Sequence, residues 1–280
     1  MGNAVNDKYF TKPSIVDQCL KRIDLTKFDI ILEPSAGCGS FHNKIPKDKG
    51  RACDISPDIP DVIELDFYAI EKVINLLDLT TAPDKRYLSI GNPPFGKNSS
   101  MAIDFFNGCA KFSDEIAFIV PRTFRKDSVQ NRLDLNFHMK SEWLLPEKSF
   151  LVMDPTSESL TSEYDVPCTF QIWEKKDHKR TKVTPATDSK HMNFVDNIKK
   201  AKYAFRRVGA QAGELYDTSD KSRSMSAPSH YYINCKPHIA DAIRGLKWDY
   251  NSSKYDTAGN PSISKSELIK TLEKALDKRK

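Results

Sequence analysis

The four residues Asn92-Pro93-Pro94-Phe95 are the part of the sequence whose types point most directly to chemistry. Two successive prolines remove two backbone donors and fix a stiff, extended turn. In such a turn the side-chain oxygen of Asn92 and a backbone carbonyl can accept hydrogen bonds from an exocyclic amine, while the Phe95 ring stacks on a planar base. The same residues also suit a plain rigid turn that closes a strand, so both interpretations stay open.

A second candidate is the loop Glu33–Phe41, where Gly37 and Gly39 stand one residue apart after an apolar run. Glycines at this spacing let the backbone approach a ligand closely, although the pattern is neither GxGxxG nor a Walker loop. An acid about 15–20 residues on, at the end of the next strand, can accept hydrogen bonds from both hydroxyls of a ribose. Asp54 stands there, with an Asx turn as the alternative role for its carboxylate.

The elements that must position these residues are short apolar runs that alternate with helical patterns. This alternation predicts an open, mostly parallel α/β sheet of seven strands. Ligands of such sheets bind beyond the carboxyl ends of the strands, so both loops and Asp54 are expected on one rim. The predicted strands are 30–32, 51–55, 61–65, 87–90, 115–120, 142–145 and 168–173, with a helix over 100–112.

The composition changes after Trp173. Residues 1–173 contain 20 Lys and Arg against 25 Asp and Glu, a net charge of −5, whereas residues 174–280 contain 23 against 13, a net charge of +10. A basic excess of this size favours an acidic partner, of which the phosphate backbone of nucleic acid is the commonest. We predict one domain over 1–174 and a smaller basic α+β region over 175–280. Within the second, a Ser-rich loop is expected over 217–229 and a final helix behind the capping box Ser264/Glu267.

Composition also excludes several classes of protein. The chain has 280 residues, 39% of them hydrophobic, a mean hydropathy of −0.54 and no apolar run of ~18 residues that would span a bilayer. No secretory signal is visible. Six Cys without CxxC spacing and six His without HExxH predict reduced thiols and no metal site. We therefore expect a cytoplasmic protein that does not bind a membrane, with its oligomeric state open and a monomer favoured.

Taken in order, the motifs of residues 9–174 resemble those of S-adenosylmethionine-dependent N6-adenine methyltransferases of the Rossmann-like class. Tyr9–Pro13 is similar to the N-terminal motif of that family, and Glu33–Phe41 is similar to its cofactor loop. Asn92–Phe95 is similar to its catalytic Asn-Pro-Pro-aromatic signature. The resemblance implies a Rossmann-like methyltransferase domain over 1–174, with 175–280 as a target-recognition region that binds nucleic acid.

The resemblance also implies S-adenosyl-L-methionine as the cofactor, with S-adenosyl-L-homocysteine as the product. Asp54 falls where the family has its ribose-binding acid, and Asp66-Phe67 falls where it has the acid that meets the adenine amine of the cofactor. The residues implied to bind the cofactor are Thr11, Pro13, Glu33, Pro34, Ala36, Gly37, Gly39, Asp54, Ile55, Asp66, Phe67 and Asn92, and the catalytic residues are Asn92, Pro93, Pro94 and Phe95.

The implied reaction is methyl transfer to the N6 amine of an adenine flipped out of DNA. Asn92 Oδ1 and the Pro93 carbonyl would accept hydrogen bonds from the two N–H groups of that amine, and Phe95 would stack on the base. Phe67 or Phe150 is a candidate second stacking ring, with a place in the core as the favoured alternative. The cations expected to contact phosphate are Lys97, Arg122, Arg125, Lys126, Arg206 and Arg207.

Three other functions stay open at this level. The same chemistry on adenine in RNA is one, because about 105 residues is a small region for a long duplex site. A protein-glutamine methyltransferase is another, although Phe95 replaces the Tyr of that group and the basic region argues against it. The third is a non-catalytic partner subunit, against which the intact Glu33–Gly39 and Asn92–Phe95 motifs argue. The sequence does not predict the recognition sequence.

Overall fold

The structure, a computed structural model, describes residues 9–77, 84–153, 160–164, 166–257 and 259–278. The chain forms two compact units. Unit 1 comprises Met1–Phe124 and Val129–Lys182, and unit 2 comprises Arg125–Ser128 and Val183–Lys280. The units therefore divide after residue 182, where the sequence predicted a boundary at 174, and the second takes four residues from within the first. No helix of the described residues is long and apolar enough to cross a membrane.

Unit 1 contains a seven-stranded sheet and a three-stranded sheet. Its strands are β1 (Tyr9–Thr11), β2 (Ile30–Glu33), β3 (Gly50–Asp54), β4 (Ile63–Glu64), β5 (Tyr87–Gly91), β6 (Glu115–Pro121), β7 (Phe137–Leu144), β8 (Phe150–Met153), β9 (Leu160–Tyr164) and β10 (Cys168–Lys175). Its helices are α1 (Pro13–Leu20), α2 (Ile70–Leu76) and α3 (Ser100–Cys109), and both units share α4 (Asp127–Gln130).

The large sheet has the order β4-β3-β2-β5-β6-β10-β7. Its first five strands run parallel, and β10 lies antiparallel between β6 and β7. This arrangement confirms the predicted α/β class with a mostly parallel sheet of seven strands. The direction in which the chain adds strands reverses between β2 and β5, which is the switch point where doubly wound sheets bind their ligands.

Both faces of the large sheet are buried. Leu32 of β2 points into a cluster that includes Phe106 of α3, whereas its neighbour Ile31 points into a cluster that includes Val16 of α1. Helices on both faces explain why the central strands are continuous apolar runs rather than alternating ones. The apolar clusters thereby fix the strand ends that carry the polar loops.

Several element boundaries differ from the sequence predictions. The strand predicted over 61–65 is only Ile63–Glu64, and the one predicted over 142–145 is the end of the longer β7. The helix predicted over 100–112 ends at Cys109, because the chain there tightens into a turn in which Phe112 donates to the Cys109 carbonyl. The small sheet β1-β8-β9 was not predicted, since its strands are short and β1 pairs with β8, which lies far along the chain.

Unit 2 is an antiparallel sheet with helices on one face. Its elements are β11 (Met192–Val195), β12 (Tyr203–Arg206), β13 (Leu215–Asp217), β14 (His230–Cys235), α5 (Pro237–Arg244) and α6 (Lys265–Asp277), with the strand order β11-β14-β12-β13. Phe205 and Ile233 pack with Leu268 of α6. The capping box of Ser264 and Glu267 is present as predicted.

The Ser-rich segment 217–229 covers the other face of this sheet. Met225 is buried against Ala204 and Tyr232, and the Tyr232 hydroxyl donates to the Met225 carbonyl at 2.7 Å. Met225 is therefore the large apolar side chain by which this mainly polar segment packs on the sheet, and Thr218 adds a hydrogen bond to the Ala201 carbonyl.

Candidate active site

The polar loops that the sequence singled out leave neighbouring strands at one end of the sheet. Glu33 ends β2, Asp54 ends β3, and Gly91 ends β5 immediately before Asn92. In the sheet register Glu33 pairs with Ala52, and Leu32 pairs with Ser89. The structure thus brings together on one rim the residues for which the sequence predicted a common rim.

Two hydrogen bonds hold Asn92, one through its side chain and one through its backbone carbonyl. Its Nδ2 donates to the Tyr9 carbonyl at 3.2 Å, and its own carbonyl accepts from Ser35 Oγ at 3.3 Å. Its Oδ1 is buried and accepts no hydrogen bond from the described residues. An unsatisfied buried acceptor costs about 1–3 kcal/mol, so we expect this oxygen to accept a hydrogen bond from a bound ligand or from water.

The loop after β2 is fixed by its contacts with β3. The Ala36 amide donates to the Cys53 carbonyl at 3.0 Å, and the Gly37 amide donates to Asp54 Oδ2 at 2.8 Å. Gly37 and Gly39 have φ of +50° and +72°, a left-handed conformation that side chains disfavour. Both glycines are therefore required by the path of the loop.

The space above Gly37 is bounded by one aromatic ring and two carboxylates. A Cβ placed on Gly37 would lie 3.5 Å from Asp58 Oδ2, 3.7 Å from Phe10 Cε1 and 4.0 Å from Asp54 Oδ2. Thr11, beside Phe10 on β1, is buried, and its Oγ1 has no hydrogen-bond partner among the described residues. Carboxylates around a bare backbone suit a ligand that presents ammonium or hydroxyl donors. Asp58 was missed by the sequence analysis, although it stands only four residues beyond Asp54.

Glu33 is a buried carboxyl group next to this space. It is 2% exposed, and its Oε2 accepts from the His42 amide at 2.7 Å. Burial raises the pKa of Glu33 to about 8 despite that hydrogen bond. Gly91 makes room for it, because a Cβ there would lie 3.2 Å from Glu33 Cγ.

Asp54 and Asp66, which the sequence assigned to a cofactor, also accept hydrogen bonds from backbone amides. Asp54 Oδ1 accepts from the Ser56 amide at 2.8 Å, which is the Asx contact considered as its alternative role. A carboxylate has about four acceptor positions, so two backbone bonds leave room for a ligand. Asp66 is exposed, and its Oδ1 accepts from the Tyr68 amide at 2.9 Å. Ile55 is 68% exposed at the end of β3.

Two rings considered for base stacking belong to the core. Phe67 is buried and stacks on Phe105 with their centroids 4.4 Å apart. Phe150 is fully buried in the cluster that includes Val16. Phe95 is only partly buried against that cluster. Of the three rings, Phe95 therefore keeps the most surface for a ligand.

The chain after Phe95 runs through an unusual backbone path. Gly96, Asn98 and Ser99 all have positive φ, of +67°, +54° and +63°. Left-handed non-glycine residues cost of order 1–3 kcal/mol each and cluster at functional sites. Ser99 Oγ and Thr123 Oγ1 share a hydrogen bond of 2.6 Å, which ties this strained turn to the segment after β6.

Two of the predicted phosphate-contacting cations are engaged in ion pairs of unit 2. Arg125 Nη1 lies 2.9 Å from Asp256 Oδ1, and Asp256 is itself buried. Lys126 Nζ lies 3.4 Å from Glu267 Oε1. Both side chains therefore form ion pairs with carboxylates of unit 2.

The other four predicted cations differ in exposure. Lys97 is exposed, whereas Arg122 is only 1% exposed and does not present its guanidinium to solvent. Arg206 and Arg207 are half-buried, and the Arg207 guanidinium lies 5.0 Å from the centre of the Tyr231 ring.

The remaining residues that the sequence assigned to the site differ in burial. Pro13 is exposed at the start of α1, whereas Pro34 and Ala36 are buried in the loop after β2. After β5, Pro93 is buried and Pro94 is half-buried.

Comparison with known proteins yields similarity of structure alone. No family model and no curated protein matches the chain. A Pyrococcus horikoshii protein described as an RNA methyltransferase aligns with a TM-score of 0.39 and 12% identity, over 60% of this chain and 87% of its own. A Vibrio vulnificus protein described as a modification subunit of a type I restriction enzyme aligns with a TM-score of 0.44 and 11% identity, over 98% of this chain and 62% of its own. At these values the activity has to be argued from the site itself.

Proposed function

We propose that this protein transfers a methyl group from S-adenosyl-L-methionine to the N6 amine of adenine in DNA. The observation that carries the proposal is the buried, unpartnered Oδ1 of Asn92, directly after a central strand at the switch point of the sheet. An amine with two N–H groups would donate one hydrogen bond to this acceptor and one to the carbonyl of the neighbouring Pro93.

The residues around Gly37 fit the proposed methyl donor. S-adenosyl-L-methionine supplies an electrophilic methyl group when bound, and it carries an ammonium group and a ribose diol. Asp54 and Asp58 offer acceptors to such donors beside the bare backbone of Gly37. Thr11, next to Phe10 on β1, has a buried Oγ1 without a partner among the described residues, and the resemblance assigns Thr11 to the cofactor. We assign the ribose to Asp54, in keeping with the resemblance, and add Asp58 to the set.

Asn92 would act by orienting the amine and stabilising its charge. The lone pair of an adenine N6 amine is delocalised into the ring, which makes it a poor nucleophile. Two acceptors, Asn92 Oδ1 and the Pro93 carbonyl, would hold its N–H bonds so that the lone pair points at the methyl group. The same oxygens would stabilise the positive charge that develops on nitrogen. The bond from Asn92 Nδ2 to the Tyr9 carbonyl keeps the amide in place before the substrate arrives.

The base would be held by Phe95 and the polynucleotide by cations. Phe95 retains partly exposed ring surface for stacking. Lys97, two residues on, is exposed, and in this proposal it would contact a phosphate near the target base. Extruding a base costs a few kcal/mol, and phosphate contacts from the basic second unit would offset that cost.

Adenine in RNA is the second candidate. Two arginines of unit 2 lie over aromatic rings, with Arg207 5.0 Å from the Tyr231 centroid and Arg223 4.5 Å from the Tyr216 centroid. Rings and guanidinium groups side by side also suit unpaired bases. The charge excess alone does not choose between the two polymers.

The test is tritiated methyl transfer to unmethylated genomic DNA and, in parallel, to total RNA, followed by separation of the nucleosides. Label in N6-methyladenine from DNA supports the proposal, and label only from RNA selects the second candidate. Asn92→Ala should abolish the label, whereas Asn75→Ala, on the exposed side of α2, should leave it unchanged. Label on protein, or on neither polymer when S-adenosyl-L-methionine is bound, would refute the proposal.

A further inference from the structure

Unit 2 contains a cavity of about 360 Å³ that none of the predicted site residues lines. It lies between the turn that joins β12 to β13 and the segment that follows α5. Its walls include Gln211, Glu214, Arg244, Trp248 and Lys254, all of which belong to unit 2. This volume is in the range of pockets that bind small ligands.

Lys254 is a buried cation at this cavity. It is only 7% exposed, and its Nζ donates to the Ala210 carbonyl at 2.8 Å. The Tyr255 ring lies 5.3 Å away, and among the described residues no carboxylate forms an ion pair with Lys254. An ammonium group has three donors, and a buried charge without an anion is costly. Lys254 is therefore a candidate anchor for an anion at this cavity.

The other charged groups of the cavity, Arg244 and Glu214, contact residues of unit 2. Arg244 lies 2.9 Å from Asp217 and 3.1 Å from Asp241, which fixes its guanidinium. Glu214 Oε2 accepts from the Tyr216 hydroxyl at 2.5 Å. Glu214 keeps its negative charge, but none of the three carboxylates Glu214, Asp217 and Asp241 forms an ion pair with Lys254 among the described residues, so we consider an anion from outside the unit.

Trp248 gives the cavity a fixed aromatic wall. Its ring lies against the backbone of Gly213, since a Cβ there would fall 2.3 Å from Trp248 Cδ1. The Phe205 ring meets it at 6.4 Å and 64°. An aromatic ring and an ammonium group in the walls of one cavity match the two parts of a nucleotide, because bases stack on aromatic side chains and phosphates bind cations.

We propose that this cavity binds one nucleotide of a polynucleotide strand, with the phosphate at Lys254 and the base against Trp248. The inference rests on the proposed nucleic-acid substrate and adds a second contact on the strand, separate from the flipped target base. A free mononucleotide or inorganic phosphate offers the same chemistry, so the test has to separate these sources.

The test measures binding of a fluorescently labelled oligonucleotide to the full chain without methyl donor, over a series of salt concentrations. Lys254→Met should weaken binding about tenfold and lower the slope of log K against log salt by about one, as for the loss of one phosphate contact. Lys247→Met, which removes an exposed charge nearby, should change affinity less than twofold. The melting temperature of Lys254→Met should stay equal or rise, because a buried unpaired charge is gone.

Unchanged affinity and slope for Lys254→Met would overturn the proposal. A strongly reduced melting temperature would mean that Lys254 holds the fold, and ultraviolet crosslinking of the native protein to a bromouracil-containing oligonucleotide then decides. The proposal requires a crosslinked peptide that contains Trp248, and crosslinks confined to other peptides contradict it. Displacement of the oligonucleotide by equimolar adenosine monophosphate or phosphate would assign the cavity to a free nucleotide or an anion instead. Because binding is measured without methyl transfer, failure of the proposed activity leaves this test intact.

Discussion

The Nδ2 of Asn92 donates to the carbonyl of Tyr9 at 3.2 Å, a contact between residues 83 positions apart. This bond fixes the amide after β5 through the first described strand of the chain, and it leaves Oδ1 as the atom without a partner. The orientation of the proposed catalytic oxygen therefore depends on β1, which β8 holds in place.

A first prediction concerns Gly37. Gly37→Ala introduces a Cβ at φ +50° into the space bounded by Asp54, Asp58 and Phe10. We expect about 1 kcal/mol of lost stability from the left-handed conformation and at least tenfold weaker binding of S-adenosyl-L-methionine by calorimetry. Gly259→Ala, where no atom lies within 4 Å, is the matched control and should change neither. Cofactor affinity equal to the wild type would exclude this loop as the binding site.

A second prediction concerns pH and Glu33. Burial raises its pKa to about 8 in the folded protein, above the ordinary value of 4.5. Below pH 4.5 the carboxyl group is protonated in both the folded and the unfolded state, and its ionisation does not affect stability. As the pH rises from 4.5 towards 8, the group ionises in the unfolded state but stays protonated in the folded state, so the free energy of unfolding falls. Glu33→Gln should therefore gain stability relative to the wild type between pH 5 and pH 8 in urea titrations. Parallel curves for the two proteins would show that Glu33 does not titrate in this range.

A third prediction concerns the strained turn after Phe95. Thr123→Val removes the hydrogen bond that Ser99 Oγ makes with Thr123 Oγ1 at 2.6 Å, while the volume stays similar. We expect kcat to fall about tenfold with little change in the KM of the methyl donor, because the turn positions the base rather than the cofactor. Thr123→Ser restores the hydroxyl and should recover most of the rate. An equal loss for both variants would assign the effect to packing.

A fourth prediction concerns the Phe95 ring. Phe95→Leu keeps an apolar side chain against the core cluster but removes the stacking surface. Stacking of a base on an aromatic ring is worth about 1–3 kcal/mol, so KM for nucleic acid should rise about tenfold or more. Phe95→Tyr should stay within about threefold of the wild type. Steady-state kinetics with a short oligonucleotide duplex would measure both, and an unchanged KM for the leucine variant would exclude stacking by Phe95.

Local sequence was enough to predict the sheet and its rim. Apolar runs such as Ile30–Leu32 and Tyr87–Ile90 end at glycine- or proline-rich loops, and parallel strands bring such ends to one edge. The capping box at Ser264 is equally local and was predicted correctly.

The contacts that complete the site were not predictable in this way. Tyr9 and Asp58 reach the rim through pairing and loop packing that no short pattern encodes. Arg122 was expected to be exposed and to contact phosphate, because charged side chains are normally exposed, but it is only 1% exposed. Charge patterns predict a basic unit, but which cations face solvent is decided by tertiary neighbours such as Asp256 for Arg125.

The most direct test of the account is the rate of methyl transfer by Asn92→Ala, measured beside its affinity for S-adenosyl-L-methionine. We expect a loss of at least 100-fold in rate, comparable to removing an oxyanion-hole donor, with cofactor affinity within about threefold of the wild type. A variant that binds the methyl donor and methylates adenine at the normal rate would contradict the central claim that the Asn92 oxygen holds the reacting amine.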